Sequence, residues 1–307
     1  MPYYLGMDGG GTKTRCALGD ESHTLAVVTS GPSNIVRVGE ERSREALQEG
    51  VRRVCAAAGI SANQIAYACI GGSGAGRAQL AETLRKILAE ILPTPFEVVG
   101  DMQILLEAAF DTGPGVAIIA GTGSSAYGRN ARGETARAGG WGYAIGDEGS
   151  AHWIGRRAVA AVLRAGDEAG SEEPHGSLAS ALCELWQAHS LIDLARMANS
   201  NPPPDFSALF PVIAASSDEI AREILTGAGR ELARIAGIVM KRLFGAGIAS
   251  IPVAVTGGVF RYAAIVRDAF YNELRALDQR AQINLEIVEP VEGALRIAKR
   301  ASNSSQR

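Results

Sequence analysis

The chain alternates short apolar stretches with longer amphipathic ones. Apolar runs of four to eight residues favour β-strands, and apolar residues spaced three and four apart favour helices. The pattern predicts a three-strand meander at the start, then alternating helices and strands, and this order begins again near residue 115. The predicted strands are residues 3–7, 15–18, 23–30, 65–70, 96–99, 115–120, 126–130, 251–255 and 283–288. The predicted helices are residues 40–58, 79–92, 101–110, 150–165, 177–188, 193–198, 206–216, 218–244, 262–277 and 291–300.

This repeated order predicts an α/β protein of two lobes, each with a mixed sheet flanked by helices and with a ligand cleft between the lobes. We expect an N-terminal lobe over residues 1–114 and a C-terminal lobe over residues 115–290. Residues 291–307 are expected to form a final helix followed by a disordered polar tail, SNSSQR. The tail contains no apolar residue that could anchor it.

The composition is that of an ordinary globular protein and excludes several classes of partner. The 307 residues carry a net charge of −3, which gives no reason to expect nucleic acid or an anionic membrane as a partner. There is no apolar run of the roughly 20 residues that span a bilayer, and no secretory signal, so we expect a cytoplasmic protein. Four scattered cysteines without CxxC spacing predict reduced thiols and no zinc site; they are Cys16, Cys55, Cys69 and Cys183.

A glycine-rich turn near the N-terminus, MDGGGTKT, is the first candidate for chemistry. Its position between two strand patterns predicts a hairpin in which residues 9–11 adopt positive φ and let a ligand approach the backbone. Backbone N–H groups and the hydroxyls of Thr12 and Thr14 would bind phosphate oxygens, and Asp8 would face a Mg²⁺ carried by the phosphates. An ordinary hairpin turn is the alternative. The Walker and dinucleotide-binding patterns are both absent.

Two further glycine-rich loops, both in the second half of the chain, contain candidate nucleotide-binding residues. AGTGSS, at residues 120–125, places Thr122 and Ser124 as candidate phosphate donors, and a plain hairpin turn is the alternative. VTGGV, at residues 255–259, would let a flat ring such as adenine pack on Gly257 and Gly258, although many α/β turns look similar. Together with the first turn, these loops predict a polyphosphate site.

Asp101 directly follows the apolar strand FEVVG and precedes a helix. Ligands of α/β sheets lie at the carboxyl ends of the strands, so Asp101 is a candidate general base for a hydroxyl that attacks a phosphate. The alternative is a helix N-cap, a position that aspartate fills well.

The segment GGWGYAIGDEGSAHWIG, residues 139–155, is a dense loop that leads into a helix. Trp141 and Asp147 are candidates for ligand contact, with core packing as the alternative for Trp141. Glu148 is expected to be a favourable charge in the first turn of the following helix. Asn34, in GPSNIV, is by itself a turn residue, and His152 and His175 are expected to be structural or exposed.

With these residues assembled, the chain resembles the sugar-kinase/Hsp70/actin superfamily. Within it, the chain is similar to the BadF/BadG/BcrA/BcrD ATPase family, and most of all to N-acetylglucosamine kinases. DGGGTKT resembles the first phosphate motif, IIAGTGSS the second and AVTGGV the adenosine motif. VEGALRIA resembles the closing helix that returns to the N-terminal lobe, and GGWGYAIGDEGSAHWIG resembles the kinase pattern most specifically. The resemblance extends from residue 4 to about residue 298 and implies an actin-like ATPase fold, related to ribonuclease H.

The resemblance also implies roles for individual residues. Asp101 takes the place of the catalytic aspartate, and Asp8 matches the aspartate near Mg²⁺. The implied acceptor contacts are Asn34, Ser124, Ser125, Gly140, Trp141 and Asp147. The implied ATP contacts are Gly10, Gly11, Thr12, Lys13, Gly121, Thr122, Gly257 and Gly258.

The implied activity is transfer of phosphate from ATP, with Mg²⁺, to the 6-hydroxyl of N-acetyl-D-glucosamine, by a protein that is commonly a homodimer. Because SGPSNIVRVG resembles glucosamine kinases equally, D-glucosamine is an alternative acceptor. A second alternative is the activator ATPase of radical dehydratases and reductases, which needs cysteines for a shared iron–sulfur cluster. A sugar-sensing regulator is a third, but no basic DNA-binding extension accompanies the acidic pI of about 5.9.

Overall fold

A computed structural model of the chain describes residues 2–72 and 74–305. These residues divide into two compact units, one formed by Met1–Gly113 with Val288–Arg307 and the other by Pro114–Ile287. The strands are β1 (Tyr3–Gly9), β2 (Thr14–Gly19), β3 (Thr24–Ser30), β4 (Ile65–Gly72), β5 (Phe96–Gly100), β6 (Gly115–Ala120), β7 (Ser124–Arg129), β8 (Thr135–Gly139), β9 (Ile251–Thr256) and β10 (Ala281–Ile287). The helices are α1 (Ile35–Ala58), α2 (Ala78–Ile91), α3 (Asp101–Phe110), α4 (Ala151–Ala169), α5 (Ser177–Trp186), α6 (Leu191–Ala198), α7 (Phe210–Ala215), α8 (Glu219–Leu243), α9 (Gly258–Tyr262), α10 (Ala264–Leu277) and α11 (Pro290–Ser305).

The first unit contains a five-stranded sheet in the order β3-β2-β1-β4-β5. The first three strands are antiparallel neighbours, which confirms the predicted meander. β1, β4 and β5 run parallel, so their carboxyl ends lie at one edge of the sheet. Asp8, near the end of β1, and Asp101, directly after β5, are therefore placed at the same edge.

The second unit repeats this plan with the strand order β10-β9-β6-β7-β8. β6, β7 and β8 form an antiparallel meander, and β6, β9 and β10 are parallel. The prediction of two α/β halves of similar architecture, each a mixed sheet with flanking helices, is confirmed. β8 was not predicted, because this edge strand buries only Ala138 and so lacks an alternating apolar pattern.

Helix α11 packs closely on the sheet of the first unit and on α3. A Cβ on Gly6 of β1 would lie 2.4 Å from the backbone nitrogen of Leu295. A Cβ on Gly293 would lie 1.9 Å from the carbonyl oxygen of Ile104 in α3. The final helix thus belongs to the first unit, and two glycines allow its backbone to approach its neighbours.

The end of α11 corrects one prediction. The helix continues to Ser305, so the prediction of a disordered tail is wrong for residues 302–305, while residues 306 and 307 lie outside the described part of the chain. The helix is held because Ser302 is buried and forms a hydrogen bond with Tyr4 of β1.

Other helices also begin or end at residues that differ from the prediction. α1 begins at Ile35 instead of residue 40, since Asn34 caps it and the helix bends at Gly39, whose φ is 80°. The predicted helix over 262–277 is present as α10, and an additional short helix, α9, precedes it and is separated from it at Ala263. Each predicted strand is present, with ends that differ by at most two residues.

Within residues 2–72 and 74–305, no helix combines the length and the apolar character needed to cross a membrane.

Candidate functional site

The first glycine turn joins β1 to β2 and is closed by a hydrogen bond from the Gly10 N–H to the carbonyl oxygen of Lys13, at 3.1 Å. The predicted positive φ angles are wrong, because none of residues 9–11 has one. Close packing explains the glycines instead. A Cβ on Gly9 would lie 2.8 Å from Ser33 Oγ, and one on Gly10 would lie 3.0 Å from the carbonyl oxygen of Lys13.

The two threonines of the turn have different environments. Thr14 is fully buried, and its hydroxyl lies 2.8 Å from the carbonyl oxygen of Gly31 and 2.7 Å from Ser33 Oγ. The prediction that Thr14 binds phosphate is therefore wrong, since its hydroxyl is used inside the fold. Thr12 and Lys13 are exposed at the tip of the turn, where a ligand can reach them.

The loop after β3 is fastened to this turn. The N–H groups of Ser33 and Asn34 both donate to the carbonyl oxygen of Gly10, at 3.1 and 3.2 Å. Asn34 Oδ1 accepts a hydrogen bond from the Val36 N–H at 3.0 Å and so caps α1. The side-chain nitrogen and the second lone pair of Oδ1 are the groups that Asn34 has left for a ligand.

Arg37 was not singled out from the sequence, yet it lies beside the glycine turn. Its Cδ and Nη1 atoms are 3.4 and 3.5 Å from the place that a Cβ of Gly11 would occupy. A cation in the first turn of a helix opposes the helix dipole. No sequence signal pointed to this position, because the helix was predicted to begin at residue 40 and Arg37 lies in the first turn only in the structure.

Asp101 lies in the first turn of α3, directly after β5. Its Oδ1 atom accepts a hydrogen bond from the adjacent Met102 N–H at 2.9 Å. The residue at the N-cap is Gly100, so the alternative of an aspartate cap is wrong. The carboxylate stands at the carboxyl edge of the parallel strands, where α/β proteins bind ligands.

Asp8 belongs to the same electrostatic cluster. Burial and, after it, the negative charge of Asp101 raise the pKa of Asp8 to about 7, although the positive charge of Arg15 opposes the shift. Arg15 lies opposite Asp8 in the β1–β2 ladder and forms an ion pair with Glu289. The Nε atom of Arg15 is buried without a hydrogen-bond partner. Negative charge at this edge is thus only partly neutralised by the protein.

The donor set at Asp8 fits a magnesium ion that arrives with a nucleotide. Among the described residues, no group of three or more His, Cys, Asp or Glu side chains could hold a metal. Mg²⁺ is commonly held by one or two carboxylates together with waters and phosphate oxygens. Asp8 supplies one such hard oxygen ligand, and the charge cluster around it favours a cation.

In the second unit, the loop between β6 and β7 is tied to the start of α4. The Gly121 N–H donates to the carbonyl oxygen of Gly123 at 2.9 Å, and the Ala151 N–H donates to the carbonyl oxygen of Gly121 at 2.8 Å. The N–H of His152 donates to the carbonyl oxygen of Thr122 at 3.4 Å. The loop is therefore held in place by the first residues of a helix.

Ser124 has a structural bond in addition to its predicted contact with the acceptor. It is buried, and its hydroxyl donates to the carbonyl oxygen of Glu148 at 2.7 Å. This bond connects the β6–β7 loop to the loop of residues 139–149, which we call the GGWG loop. Glu148 lies two residues before Ser150, the N-cap of α4, so the prediction that it sits in the first turn is wrong.

The GGWG loop follows an unusual backbone path. Gly139, Gly140, Gly142 and Gly149 have φ values of 72°, 70°, 97° and 79°. Asp147 also has a positive φ, 61°, which is uncommon for a residue with a side chain and is concentrated at functional sites.

The carboxylate of Asp147 contacts both the GGWG loop and the β6–β7 loop. It accepts a hydrogen bond from the Gly142 N–H at 3.3 Å, and its Oδ2 atom lies 2.7 Å from the place of a Cβ on Gly123. Burial raises the pKa of Asp147, and hydrogen bonds from the Gly142 and Ser124 backbone oppose this. The structure thus brings together the second phosphate loop and the predicted sugar residues of this unit.

Trp141 lies at the surface of the GGWG loop. Its side chain is 73% exposed, so the alternative of core packing is wrong. The Arg137 guanidinium lies over the indole, 5.5 Å from the ring centroid, and its Nη2 atom donates to the carbonyl oxygen of Gly140 at 2.9 Å. His152 is buried between the rings of Tyr143 and Phe206, as expected for a structural histidine.

The third glycine loop lies against the end of β6. Gly257 has a φ of 102°, and a Cβ there would lie 2.2 Å from the carbonyl oxygen of Ala120. Gly258 begins α9, and the nearest atom to its Cβ position is 4.0 Å away, on Tyr262. The first glycine is required by packing, whereas the second leaves an open backbone surface.

The cysteines are not arranged for a metal cluster. All four are free and buried, and they lie in β2, α1, β4 and α5. Burial raises the pKa of Cys16 to about 12, so this thiol stays protonated at neutral pH.

The paired five-stranded sheets, each with a glycine turn after its first strand, define an actin-like ATPase fold. The chain belongs to the BadF/BadG/BcrA/BcrD ATPase family, whose model matches residues 5–298. The family predicted from the sequence is thereby confirmed.

Three proteins of the comparison are similar to this chain in sequence or in structure. An N-acetylmuramic acid/N-acetylglucosamine kinase of Clostridium acetobutylicum is 36% identical over 174 residues, which is 56% of this chain and 57% of that protein. An N-acetyl-D-glucosamine kinase of Dictyostelium discoideum is 30% identical over 96% of this chain and 97% of its own length. A crystal structure from Chromobacterium violaceum, described as a candidate N-acetylglucosamine kinase, has a TM-score of 0.78 at 25% identity and covers 97% of this chain and 99% of that one.

Proposed function

We propose that the chain is an ATP-dependent kinase that phosphorylates the 6-hydroxyl of N-acetyl-D-glucosamine. The observation that carries this proposal is the position of Asp101, a carboxylate at the carboxyl edge of the first sheet, within electrostatic range of Asp8 and the glycine turn. A base beside a phosphate-binding turn is the arrangement that phosphoryl transfer to a hydroxyl requires. The names of the relatives support the same activity.

In the proposed reaction, Asp101 orients the sugar hydroxyl and accepts its proton as the oxygen attacks the γ-phosphorus. The bond between that phosphorus and the leaving oxygen of ADP breaks as the new bond forms. Phosphoryl transfer leaves little covalent chemistry to the protein, so positioning and charge neutralisation carry the rate. The N-cap of α3 is Gly100, and Asp101 follows it as the first residue of the helix.

Each unit offers one turn as a proposed contact for nucleotide phosphates, namely the turn that follows the first strand of its sheet. In the first unit the proposed donors are backbone N–H groups of residues 11–13 and the side chains of Thr12 and Lys13, with Arg37 nearby, since the Gly10 N–H is used inside the turn. In the second unit the proposed donor is Thr122, since the Gly121 N–H is used inside its own turn, and Gly257 and Gly258 offer a surface for adenine. Mg²⁺, held with the help of Asp8, would neutralise charge on the phosphates.

The proposed sugar contact of the first unit is Asn34, and the proposed sugar contacts of the second unit are the GGWG loop and Ser125. The Asp147 carboxylate would accept hydrogen bonds from sugar hydroxyls, and the exposed indole of Trp141 would supply an apolar surface. An acetyl group needs such an apolar surface, whereas a free amine needs a carboxylate without other partners. The exposed indole of Trp141 therefore supports N-acetylglucosamine over glucosamine as the proposed acceptor.

A coupled assay of ADP release tests the proposal. Glucose, D-glucosamine, N-acetyl-D-glucosamine and N-acetyl-D-galactosamine are supplied separately with Mg²⁺-ATP, and the phosphorylated position is read by NMR. We expect the highest kcat/KM for N-acetyl-D-glucosamine, with phosphate on the 6-oxygen. Preference for glucosamine would contradict the proposed acceptor, and no turnover of any amino sugar would contradict the kinase.

The activator ATPase is not favoured by any feature of the described residues. Such a protein needs accessible cysteine thiolates to ligate a cluster. The four thiols lie in separate core positions, and burial raises the pKa of Cys16, Cys55, Cys69 and Cys183.

A further inference from the structure

Four aromatic side chains of the second unit form a continuous row that begins in the GGWG loop. This aromatic row consists of Tyr143 in the loop, His152 in α4, Phe206 between α6 and α7, and Trp186 in α5. The ring centroids of Tyr143 and His152 are 4.9 Å apart, and those of His152 and Phe206 are 5.3 Å apart. The centroids of Phe206 and Trp186 are also 5.3 Å apart. These separations are typical of attractive aromatic pairs, so the row connects an exposed loop with the core of the unit.

The tip of the GGWG loop is exposed, and its backbone hydrogen bonds are local. Residues 141–145 are all exposed, and Gly142 has a φ of 97°. The carbonyl oxygen of Gly142 accepts N–H groups from within the loop, which closes a turn but does not attach it to a helix. The carbonyl oxygen of Tyr143 accepts a long hydrogen bond, 3.4 Å, from Arg156 in α4. The ring contact with His152 therefore adds the side-chain attachment of this tip to α4.

His152 contacts both candidate loops of the second unit. Its N–H donates to the carbonyl oxygen of Thr122, in the β6–β7 loop, at 3.4 Å. Its buried ring packs on Tyr143 of the GGWG loop. The backbone makes the first contact and the side chain makes the second. A substitution at His152 therefore removes the ring contact with the sugar loop and keeps the backbone N–H that bonds to the phosphate loop.

We propose that His152 is a positioning residue for the acceptor sugar: its ring holds Tyr143 and thereby fixes the loop that carries Trp141. The inference rests on the proposed kinase function. His152 does not touch the reacting atoms and takes no proton in the transfer. A loop that is already held in place loses less conformational freedom when a ligand binds, so the contact strengthens sugar binding.

Steady-state kinetics of His152→Ala and His152→Phe, with each substrate varied in turn, tests the proposal. We expect His152→Ala to raise KM for N-acetyl-D-glucosamine roughly 2- to 12-fold, the effect of losing one aromatic pair. KM for ATP should not change, because the bond to Thr122 is made by the backbone. His152→Phe keeps a ring at this position and should retain the wild-type KM for the sugar.

A double-mutant cycle with Tyr143→Ala tests the contact itself. Tyr143 is 56% exposed, so its replacement leaves the core intact. Tyr143→Ala should raise the sugar KM by the same factor as His152→Ala, and the double variant should raise it no further, since both changes remove one contact. Fully additive effects would mean that the two side chains act independently, and they would overturn the inference. His152→Leu, which fills the site without a ring, replaces His152→Ala in the cycle if that variant does not fold.

Trp186→Leu is the matched control for general loss of stability. Trp186 lies at the end of the aromatic row that is farthest from the loop in contact order, and its replacement removes a ring contact with Phe206. We expect a lower Tm with an unchanged KM for the sugar. If Trp186→Leu raised the sugar KM as much as His152→Ala, a general destabilisation would explain both results and the inference would be wrong.

The outcomes also distinguish this inference from the proposed function. Turnover of N-acetyl-D-glucosamine by the wild-type protein, with an unchanged sugar KM in the His152 and Tyr143 alanine variants, would overturn the inference alone. Absence of turnover of any amino sugar by the wild-type protein would overturn the proposed kinase and this inference together.

Discussion

At the scale of single residues, Asp147 carries the strongest sign of a functional constraint in the second unit. It combines a positive φ of 61°, burial and two backbone hydrogen bonds to its carboxyl group. A residue is kept in such a conformation only when the surrounding structure determines it. We infer that the hydrogen bonds from the Gly142 and Ser124 backbone fix the orientation of the Asp147 carboxylate.

Replacing Asp147 by asparagine tests this interpretation. Asparagine tolerates positive φ and keeps an oxygen acceptor, so we expect little change in Tm. Loss of the charge should raise KM for N-acetyl-D-glucosamine roughly 10- to 150-fold, with KM for ATP within about twofold of wild type. Steady-state kinetics with each substrate varied in turn provides the measurement. An unchanged sugar KM would remove Asp147 from the sugar site.

Gly257 and Gly258 form a matched pair for a second test. At Gly257 the positive φ and the 2.2 Å approach to the Ala120 carbonyl oxygen leave no room for a side chain, whereas the space beside Gly258 is open. We expect Gly257→Ala to lower the free energy of unfolding by more than about 2 kcal/mol, because strain of about 1–3 kcal/mol adds to the clash.

Gly258→Ala should leave stability within about 0.5 kcal/mol of wild type, as is usual for changes that create no clash. It should instead weaken ATP binding if adenine packs there. Urea denaturation and a nucleotide titration measure the two effects. Equal stability of the two alanine variants would contradict the packing that is described for Gly257.

Single residues also show where sequence reasoning succeeds. Asp101 could be placed at the start of a helix and at the end of a strand, because both elements have clear apolar patterns. Thr14 was misassigned because the sequence does not show which residues lie across from the second strand; there the buried hydroxyl meets Ser33 and Gly31. Arg37 was missed because its position beside Gly11 depends on a loop that folds back on the turn.

At the scale of secondary-structure elements, the close approach of α11 to α3 and β1 is central to the first unit. Gly293 permits it, since a Cβ would lie 1.9 Å from the Ile104 carbonyl oxygen. An ion pair between Arg300 and the buried Glu107 adds a polar contact between α11 and α3. Together these contacts bind the end of the chain to the sheet that carries Asp8.

Gly293→Ala should therefore destabilise the protein, although alanine is the better helix former. We expect a loss of more than about 2 kcal/mol in the free energy of unfolding, since backbone atoms have to move apart. Gly237 in α8 is the control. A Cβ there would meet only Leu277 Cδ1 at 3.6 Å, so Gly237→Ala should stabilise by about 0.5–1 kcal/mol. If Gly293→Ala were equally stabilising in chemical denaturation, the described packing of α11 would be wrong.

Elements also differ in how well their sequence defines them. Helix α3 was predicted with its observed ends because apolar residues, a leading aspartate and a following loop agree. β8 was not predicted because its pairing with β7, and not its own composition, makes it a strand. α1 was predicted to begin too late because the signal at its start is one capping asparagine.

At the scale of the whole molecule, the same plan appears in both units. In each sheet an antiparallel hairpin with a glycine turn is followed by parallel strands, and the candidate residues gather at the strand ends or in the loops attached to them. The sequence could predict this plan because the apolar pattern starts again near residue 115. It could not predict the bonds that join the β6–β7 loop to the GGWG loop, since these depend on positive φ angles and on a buried serine.

The central claim, that Asp101 is the base of a sugar kinase, is tested most directly by the Asp101→Asn variant. The measurement is the rate of ADP formation at saturating Mg²⁺-ATP and N-acetyl-D-glucosamine, with the ATP dissociation constant measured alongside. A general base contributes about 10²- to 10⁴-fold, so the variant should lose at least about 100-fold in kcat while ATP affinity stays within about twofold of wild type. A variant that retained most of the wild-type kcat would contradict the claim.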